Sequence, residues 1–329
     1  MTSETSSAAS PVRPAAAPMA VAGIILALAG AAFFATKGIV IKLALLEGID
    51  AVTTLTWRMI VAVPIFLVVG IFAYRRKRAA QPAGAPPLFD VPVVLRVMGV
   101  GVLGYYVSSY LDFAALEYIS AQFDRLILLT YPFFVVLFGA VFFKRRVTGS
   151  MIAALLISYL GIAIIFWHDF AIEGDHVLLG ATLVFIASIT YASYQILAKP
   201  LIDRLGPQLF TSVAMCAAGP AVIAHFLVTH PVTDLAVTGS GFGLMLAIGT
   251  VSTVLPAYCI SGAIGLIGPE RTAIIGNVSP VVTVGLAIGI LGEAFTVWHA
   301  LGTAMVLGGV WLFTRKGRPK ARVVEETGA

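Results

Sequence analysis

Charged residues are scarce in this sequence: Asp, Glu, Lys and Arg make up 11% of its 329 positions, whereas 59% are hydrophobic. A soluble domain cannot hide that much apolar surface, so lipid must serve as the solvent. The chain has only two cysteines, Cys216 and Cys259, and both lie in apolar runs without metal-ligating residues nearby. We interpret them as packing residues, and we expect neither a metal nor a cofactor.

Familiar catalytic and nucleotide-binding motifs are also missing from the sequence. There is no Walker A loop, no glycine-rich dinucleotide loop and no His-Glu-x-x-His pair, so nothing points to direct use of ATP. An intramembrane serine hydrolase needs an embedded serine with a histidine base, whereas the only Gly-Ser-Gly, at 239–241, lies in a predicted outer loop before the eighth span. We predict that the protein is not an enzyme, and we keep an intramembrane enzyme as the alternative from another class.

Ten apolar runs have about the 20 residues that a helix needs to cross a bilayer. Seventeen of the 21 Lys and Arg residues lie in alternate loops, and the loops between those contain none. Basic residues mark cytoplasmic loops, so we predict a plasma (bacterial inner) membrane protein with both termini in the cytoplasm. The net charge of +5 then requires no nucleic-acid partner. The predicted spans are 19–43, 52–73, 93–117, 122–143, 150–168, 176–198, 207–228, 242–265, 270–291 and 297–314.

The two halves of the sequence resemble each other at an offset of 148 residues. This shift places 119–165 on 267–313 and aligns Pro132 with Pro280. Each half has five spans, an odd number, so the second half is predicted to lie upside down, as in many transporters that bind substrate near the midplane. We predict an all-α membrane protein with ten transmembrane helices in two inverted five-helix repeats. The predicted units are a disordered cytoplasmic tail (1–18), the repeats (19–168 and 175–314) and a basic cytoplasmic tail (315–329).

Two segments carry a family resemblance: YLDFAALEYISAQFDRLILLTYP at 110–132 and PERTAIIGNVSPVVTVGLAIGILGEAFT at 269–296. With the five-plus-five layout, they make the chain resemble the drug/metabolite transporter superfamily, specifically proteins with two EamA domains. The resemblance covers residues 20–314. It implies a secondary transporter, most often an exporter of amino acids, other metabolites or drugs, with importers and exchangers also known. The chain departs from the family at 144–146, where three basic residues replace the acidic residue that usually closes the first repeat.

Four cations lie inside the predicted spans, all in the first half: Lys37, Lys42, Arg58 and Arg125. A charge within the bilayer costs roughly 2.5–3.5 kcal/mol on insertion scales, so it usually faces the bundle interior and has a partner or a task. These cations outnumber the one firmly embedded acid, Asp112. The excess suggests a substrate that bears a carboxylate, such as an amino acid or an organic anion.

Polar residues form stripes on the third and the sixth predicted spans. In the third span they recur at i, i+3, i+4 and i+7, which puts Tyr105, Ser108, Ser109 and Asp112 on one face. A polar stripe in lipid must face protein or a water-filled cavity, so we predict a central cavity lined by the first, third, sixth and eighth spans. The predicted substrate-binding residues are Lys37, Tyr105, Ser108, Asp112, Tyr191, Tyr194, Gln195, Thr250 and Thr253.

The embedded charges also admit a structural interpretation, as interhelical ion pairs such as Asp112 with Arg125. For Lys37 and Asp112 both interpretations stay open, and Asp112 is also a candidate proton relay. For Arg125 the structural interpretation is favoured, because Asp124 is an available partner. We therefore assign Arg58, Asp124 and Arg125 to ion pairs.

Prolines in the middle of spans predict interrupted helices. We predict that Pro132, Pro256 and Pro280 kink their helices and serve as hinges, with distortion but no gating role as the alternative. Gly285 and Gly289 form a GxxxG pair, which predicts close helix packing. The expected partners are a small-molecule substrate, the lipid bilayer and a coupling proton, and the protein is expected to be a monomer or a homodimer.

Overall fold

The computed structural model describes residues 17–316, apart from 83, 85, 144–148, 174–175 and 277. The predicted tails at 1–18 and 315–329 therefore fall almost wholly outside the described residues, as do the three basic residues at 144–146. The described part of the chain is helical and contains no strand. Its α-helices are α1 Ala17–Leu46, α2 Ala51–Ala79, α3 Val91–Gly101, α4 Ser108–Ala115, α5 Ala121–Leu128, α6 Tyr131–Phe143, α7 Gly149–Glu173, α8 His176–Leu205, α9 Pro207–Thr229, α10 Gly239–Gly249, α11 Leu255–Ile267, α12 Pro269–Gly276, α13 Ser279–Leu286 and α14 Val297–Lys316.

Each predicted apolar run falls on one of these helices or on consecutive helices. Among the described residues, seven segments are long and apolar enough to cross a membrane, and two further apolar helices are shorter. The chain is therefore an all-helical, multi-pass membrane protein. The seven segments are Met19–Leu46, Ala51–Ala79, Val91–Ala115, Ala121–Val141, His176–Leu205, Pro207–Thr229 and Gly239–Ile267, and the shorter helices are Leu156–His168 and Val281–Leu291.

The offset of 148 residues reappears in the helix bounds. Shifting α3 and α5 by 148 gives the bounds of α10 and α12. A π-helical segment follows α3 at Val102–Val107, and another follows α10 at the equivalent place, Thr250–Val254. A π-helical turn inserts an extra residue into a helix and is frequent at functional sites. The two segments therefore indicate a candidate functional site near the middle of their spans.

The three predicted hinge prolines each occupy the second residue of a helix. For Pro132 the helix is α6, which begins after a break at residues 129–130, and for Pro280 it is α13, which begins after α12 has ended. For Pro256 it is α11, which follows the second π-helical segment. Proline suits the first turn of a helix because its fixed φ is helical and its missing N–H would have had no partner there. Pro132 and Pro280 therefore lie in the first turn of a helix that begins after a break, whereas Pro256 lies where a π-helical segment passes directly into an α-helix. The hinge role of all three stays a prediction.

Helices of the two halves pack closely against each other. The helix α1 packs against α11 and α13, and α8 packs in the corresponding way against α4 and α6. The helices α7 and α14 cross at two glycines, where a Cβ on Gly161 or on Gly302 would lie 2.6 Å from the other's carbonyl oxygen. The prediction for Gly285 and Gly289 was wrong, because no atom of the described chain lies within 4 Å of a Cβ placed on either.

Candidate functional site

A buried ion pair joins α1 to α4. Lys37 Nζ lies 2.8 Å from Asp112 Oδ2, and the two side chains are 5% and 3% exposed. The ammonium also lies over two aromatic rings, 4.5 Å from the centroid of Phe34 and 5.5 Å from that of Phe113. The suggested pairing of Asp112 with Arg125 was wrong, since the partner of Asp112 is Lys37. A charge pair this deeply buried is costly to desolvate, so its retention calls for a role.

A second buried cation connects the halves. Arg58 on α2 donates from Nε to Thr253 Oγ1 at 2.9 Å, and the Thr253 hydroxyl in turn donates to the Ile248 carbonyl oxygen at 2.6 Å. That second bond spans five residues, as π-helical geometry allows. The Arg58 Nη1 atom has no hydrogen-bond partner among the described residues. Arg58 was predicted to form an ion pair, but in the described chain its Nε donates to a neutral hydroxyl.

Tyrosines form one wall of the same region. The hydroxyl oxygens of Tyr105 and Tyr194 are 2.6 Å apart and share a hydrogen bond. Tyr191 stacks on Phe34 with a centroid distance of 6.1 Å and on Tyr194 at 5.9 Å. Gly104 makes this packing possible, because a Cβ there would lie 2.3 Å from Tyr194 Cδ2. The π-helical segment thus presents Tyr105 and leaves room beside it.

These groups surround a cavity, here called the Lys37 cavity. Seven of the nine predicted substrate-binding residues line it, and Arg58 lines it as well. The seven are Lys37, Tyr105, Ser108, Asp112, Tyr191, Tyr194 and Thr253. Thr250 does not line it, and its hydroxyl donates to the carbonyl oxygen of Leu246 instead.

Gln195 lines a neighbouring cavity, here called the Arg125 cavity. The two cavities share four wall residues: Phe34, Leu128, Tyr191 and Ile260. The predicted ion pair of Asp124 and Arg125 exists as a long contact, with Arg125 Nε 3.5 Å from Asp124 Oδ2. Both side chains are buried, so neither charged group is solvated by bulk water.

Sequence reasoning missed part of the Lys37 cavity lining that the 148-residue offset could have revealed. Five lining residues of the first half, at positions 104, 105, 108, 109 and 112, have counterparts 148 positions later that also line the cavity. These counterparts are Ser252, Thr253, Pro256, Ala257 and Ile260. Phe34 was missed as well, because an aromatic residue on an apolar helix gives no sign of facing a cavity.

A multi-pass helical bundle with a buried, charged cavity between its halves is the architecture of a membrane transporter. The chain belongs to the EamA-like transporter family, whose model matches it twice, at residues 21–167 and 178–315. The two matches cover most of the chain and reflect its internal repeat. The protein is thus a transporter and not an enzyme.

Similar proteins are named as a transporter, an exporter and an efflux pump. An uncharacterized transporter of Bacillus subtilis, YcbK, is 29% identical over 86% of this chain and 89% of its own length. A probable terminal-alkyne amino-acid exporter of Streptantibioticus cattleyicolor is 29% identical over 76% of this chain and 82% of its own. A probable amino-acid metabolite efflux pump of Escherichia coli is 23% identical over 68% and 77%. A solved crystal structure with 17% identity matches the fold with a TM-score of 0.62, over 93% of this chain and 99% of that chain.

Proposed function

We propose that this protein is a secondary active transporter that exports small polar metabolites bearing a carboxylate, such as amino acids or organic anions. The observation that carries the proposal is the Lys37 cavity, which is buried, charged and lined by both halves of the chain. Two relatives support the substrate class through their names, which describe an amino-acid exporter and an amino-acid metabolite efflux pump. Import or exchange by the same fold is the second candidate.

The proposed architecture is ten spans in two inverted repeats, 19–168 and 175–314, with both termini in the cytoplasm of a bacterial inner membrane. The repeated helix bounds and the equivalent packing of α1 and α8 support two related halves. The basic loops support the orientation. The two halves are proposed to rock about the interrupted helices, with Pro132, Pro256 and Pro280 at the points of bending.

Cysteine accessibility tests this topology. In a variant with Cys216 and Cys259 replaced by alanine, a new cysteine at Arg78 should react only from the cytoplasmic side, and one at Asp234 only from the opposite side. Arg78 lies in the basic last turn of α2, and Asp234 lies in the connection between α9 and α10. Labelling of both cysteines from the same side would contradict the inverted arrangement of these loops.

The charges of the Lys37 cavity suggest how substrate and a coupling proton interact. A substrate carboxylate would compete with Asp112 for the Lys37 ammonium, because one cation at this separation cannot serve two anions equally. Protonation of Asp112 would release Lys37 for the substrate. Proton movement would then accompany substrate movement, and the sequence has no nucleotide site that could supply energy instead.

Transport in proteoliposomes tests the function directly. The purified protein is reconstituted, and uptake or release of labelled amino acids and organic anions is followed with and without a pH gradient. The parent should move at least one carboxylate, whereas folded Lys37→Ala and Asp112→Asn variants should transport it poorly. Arg96→Gln, at an exposed position on α3, is the matched control. Normal transport by both cavity variants would exclude the Lys37 cavity as the site, and absence of transport across the panel would contradict the proposal.

A further inference from the structure

Arg125 is a buried cation without adequate protein partners. Its side chain on α5 is 2% exposed, and its Nε, Nη1 and Nη2 atoms form no hydrogen bond within the described part of the chain. The Phe34 ring lies 5.0 Å from its Cζ atom, which supplies cation–π contact but no acceptor. Buried guanidinium groups are normally paired or hydrogen-bonded, so Arg125 is a candidate binding group for an anion.

Asp124 does not fill the role of that anion. The contact between the two side chains, from Oδ2 to Nε, is 3.5 Å long, which is too long for a charge-assisted hydrogen bond. Both carboxylate oxygens of Asp124 also lack a hydrogen-bond partner among the described residues. The two terminal nitrogens of Arg125 likewise have no acceptor within the described part of the chain, and Arg125 lines the Arg125 cavity.

The cavity beside Arg125 contains further polar atoms that the described protein leaves unpaired. Gln195 Oε1 and Ser279 Oγ are buried without hydrogen bonds, and both residues line the Arg125 cavity. Gln195 Oε1 is an acceptor and the guanidinium is a donor, so the wall offers complementary groups. Ser279 belongs to α13 in the second half, so both halves contribute to this site.

We propose that the Arg125 cavity is a binding site for α-amino acids, in which the Arg125 terminal nitrogens bind the carboxylate and Gln195 Oε1 accepts from the ammonium group. This deepens the proposed transport function and rests on it. The guanidinium fork matches the geometry of a carboxylate, and Ser279 supplies a further hydroxyl. An amino acid leaving the Arg125 cavity for the Lys37 cavity would pass the shared wall of Phe34 and Tyr191.

Ligand-dependent thermal unfolding of the full chain in lipid nanodiscs tests the proposal. The probes are the proteinogenic L-α-amino acids, each compared with its own carboxamide, which lacks the carboxylate. At least one amino acid should raise the unfolding temperature of the parent, and its carboxamide should not. Arg125→Gln should weaken the apparent affinity by about tenfold or more, since charge-assisted hydrogen bonds are lost. Arg125→Lys should retain part of it, and Arg96→Gln, an exposed control, should leave it unchanged.

Asp124→Asn provides a readout that a purely structural role for Arg125 would not produce. Removing the neighbouring carboxylate should tighten amino-acid binding, because the guanidinium then interacts with the ligand alone. The proposal is overturned if a folded Arg125→Gln binds as the parent does. Should that variant not fold, unchanged affinity in both Arg125→Lys and Asp124→Asn overturns it. Transport of an organic anion by a parent that binds no amino acid would refute this inference and leave the proposed transport function standing.

Discussion

Neutralising one partner of the Lys37–Asp112 pair distinguishes a binding role from a structural role. The charged atoms are 2.8 Å apart in a place where both side chains are at most 5% exposed. At an effective dielectric constant of about 20, two charges at this distance attract by about 6 kcal/mol, much of which offsets the cost of burying them. Asp112→Asn leaves the ammonium buried and unpaired, so it should lower the free energy of unfolding by about 3–5 kcal/mol.

The double variant completes the cycle. Lys37→Met combined with Asp112→Asn removes both charges at similar volume, so most of the lost stability should return. Unfolding in mixed detergent micelles measures each free energy. Asp203→Asn, in the exposed ion pair with Lys199 on α8, is the control and should change stability by less than about 0.5 kcal/mol.

Transport by the same variants then separates the two roles. If Lys37 and Asp112 bind substrate, the double variant is stable and transports poorly. If they only hold α1 and α4 together, it is stable and active. A cost below about 1 kcal/mol for Asp112→Asn would refute the argument from burial. A stable double variant with the transport rate of the parent would refute the binding role.

Three further changes test other contacts. Glu293→Ala removes a carboxylate that accepts 2.8 and 3.2 Å hydrogen bonds from two backbone N–H groups at the start of α5; unfolding in mixed micelles should show a loss of about 0.5–2 kcal/mol, and an unchanged value would contradict the cap. Gly302→Ala places a methyl group 2.6 Å from the Gly161 carbonyl oxygen and should cost about 1–3 kcal/mol, whereas Gly285→Ala, in open space, should cost little. The pKa of Asp90 is lowered from its usual 3.8 by a hydrogen bond from a backbone N–H of α3 and by a guanidinium of α8. The Asp90→Asn variant should therefore be less stable than the parent by a constant amount above pH 3.8, and the difference should vanish as the pH falls through the lowered pKa. A stability difference that persists below the lowered pKa would contradict this.

Much of the helix layout could be predicted because lipid imposes strict rules on a spanning segment. A helix in lipid must be apolar over about 20 residues and satisfy its own backbone, and both properties are visible in sequence. The stripe from Tyr105 to Asp112 also located one cavity wall, because a polar face needs shelter. The chemistry of one helix therefore indicated which of its faces is buried.

The partners of those faces could not be predicted from the sequence, for two physical reasons. Periodicity assigns a residue to a face but does not say which helix lies opposite, so Asp112 was matched with Arg125 and not with Lys37. The spacing of Thr250 and Thr253 suits an α-helix, yet the π-helical turn there changes the register, and Thr250 bonds to its own helix away from the cavity.

The 148-residue repeat accounts for the shape of the Lys37 cavity, and the differences between the halves account for its charge. Five lining positions from Gly104 to Asp112 are matched by five from Ser252 to Ile260. Asp112, the acid of the first set, is matched by the apolar Ile260. A carboxylate at both positions would place two like charges in one buried cavity, close enough to repel each other, beside the cations Lys37 and Arg58. One acid and one paired lysine instead leave a neutral pair beside Arg58. In the transport cycle proposed above, a substrate carboxylate or a proton would open that pair, and each competitor would then change the affinity of the cavity for the other.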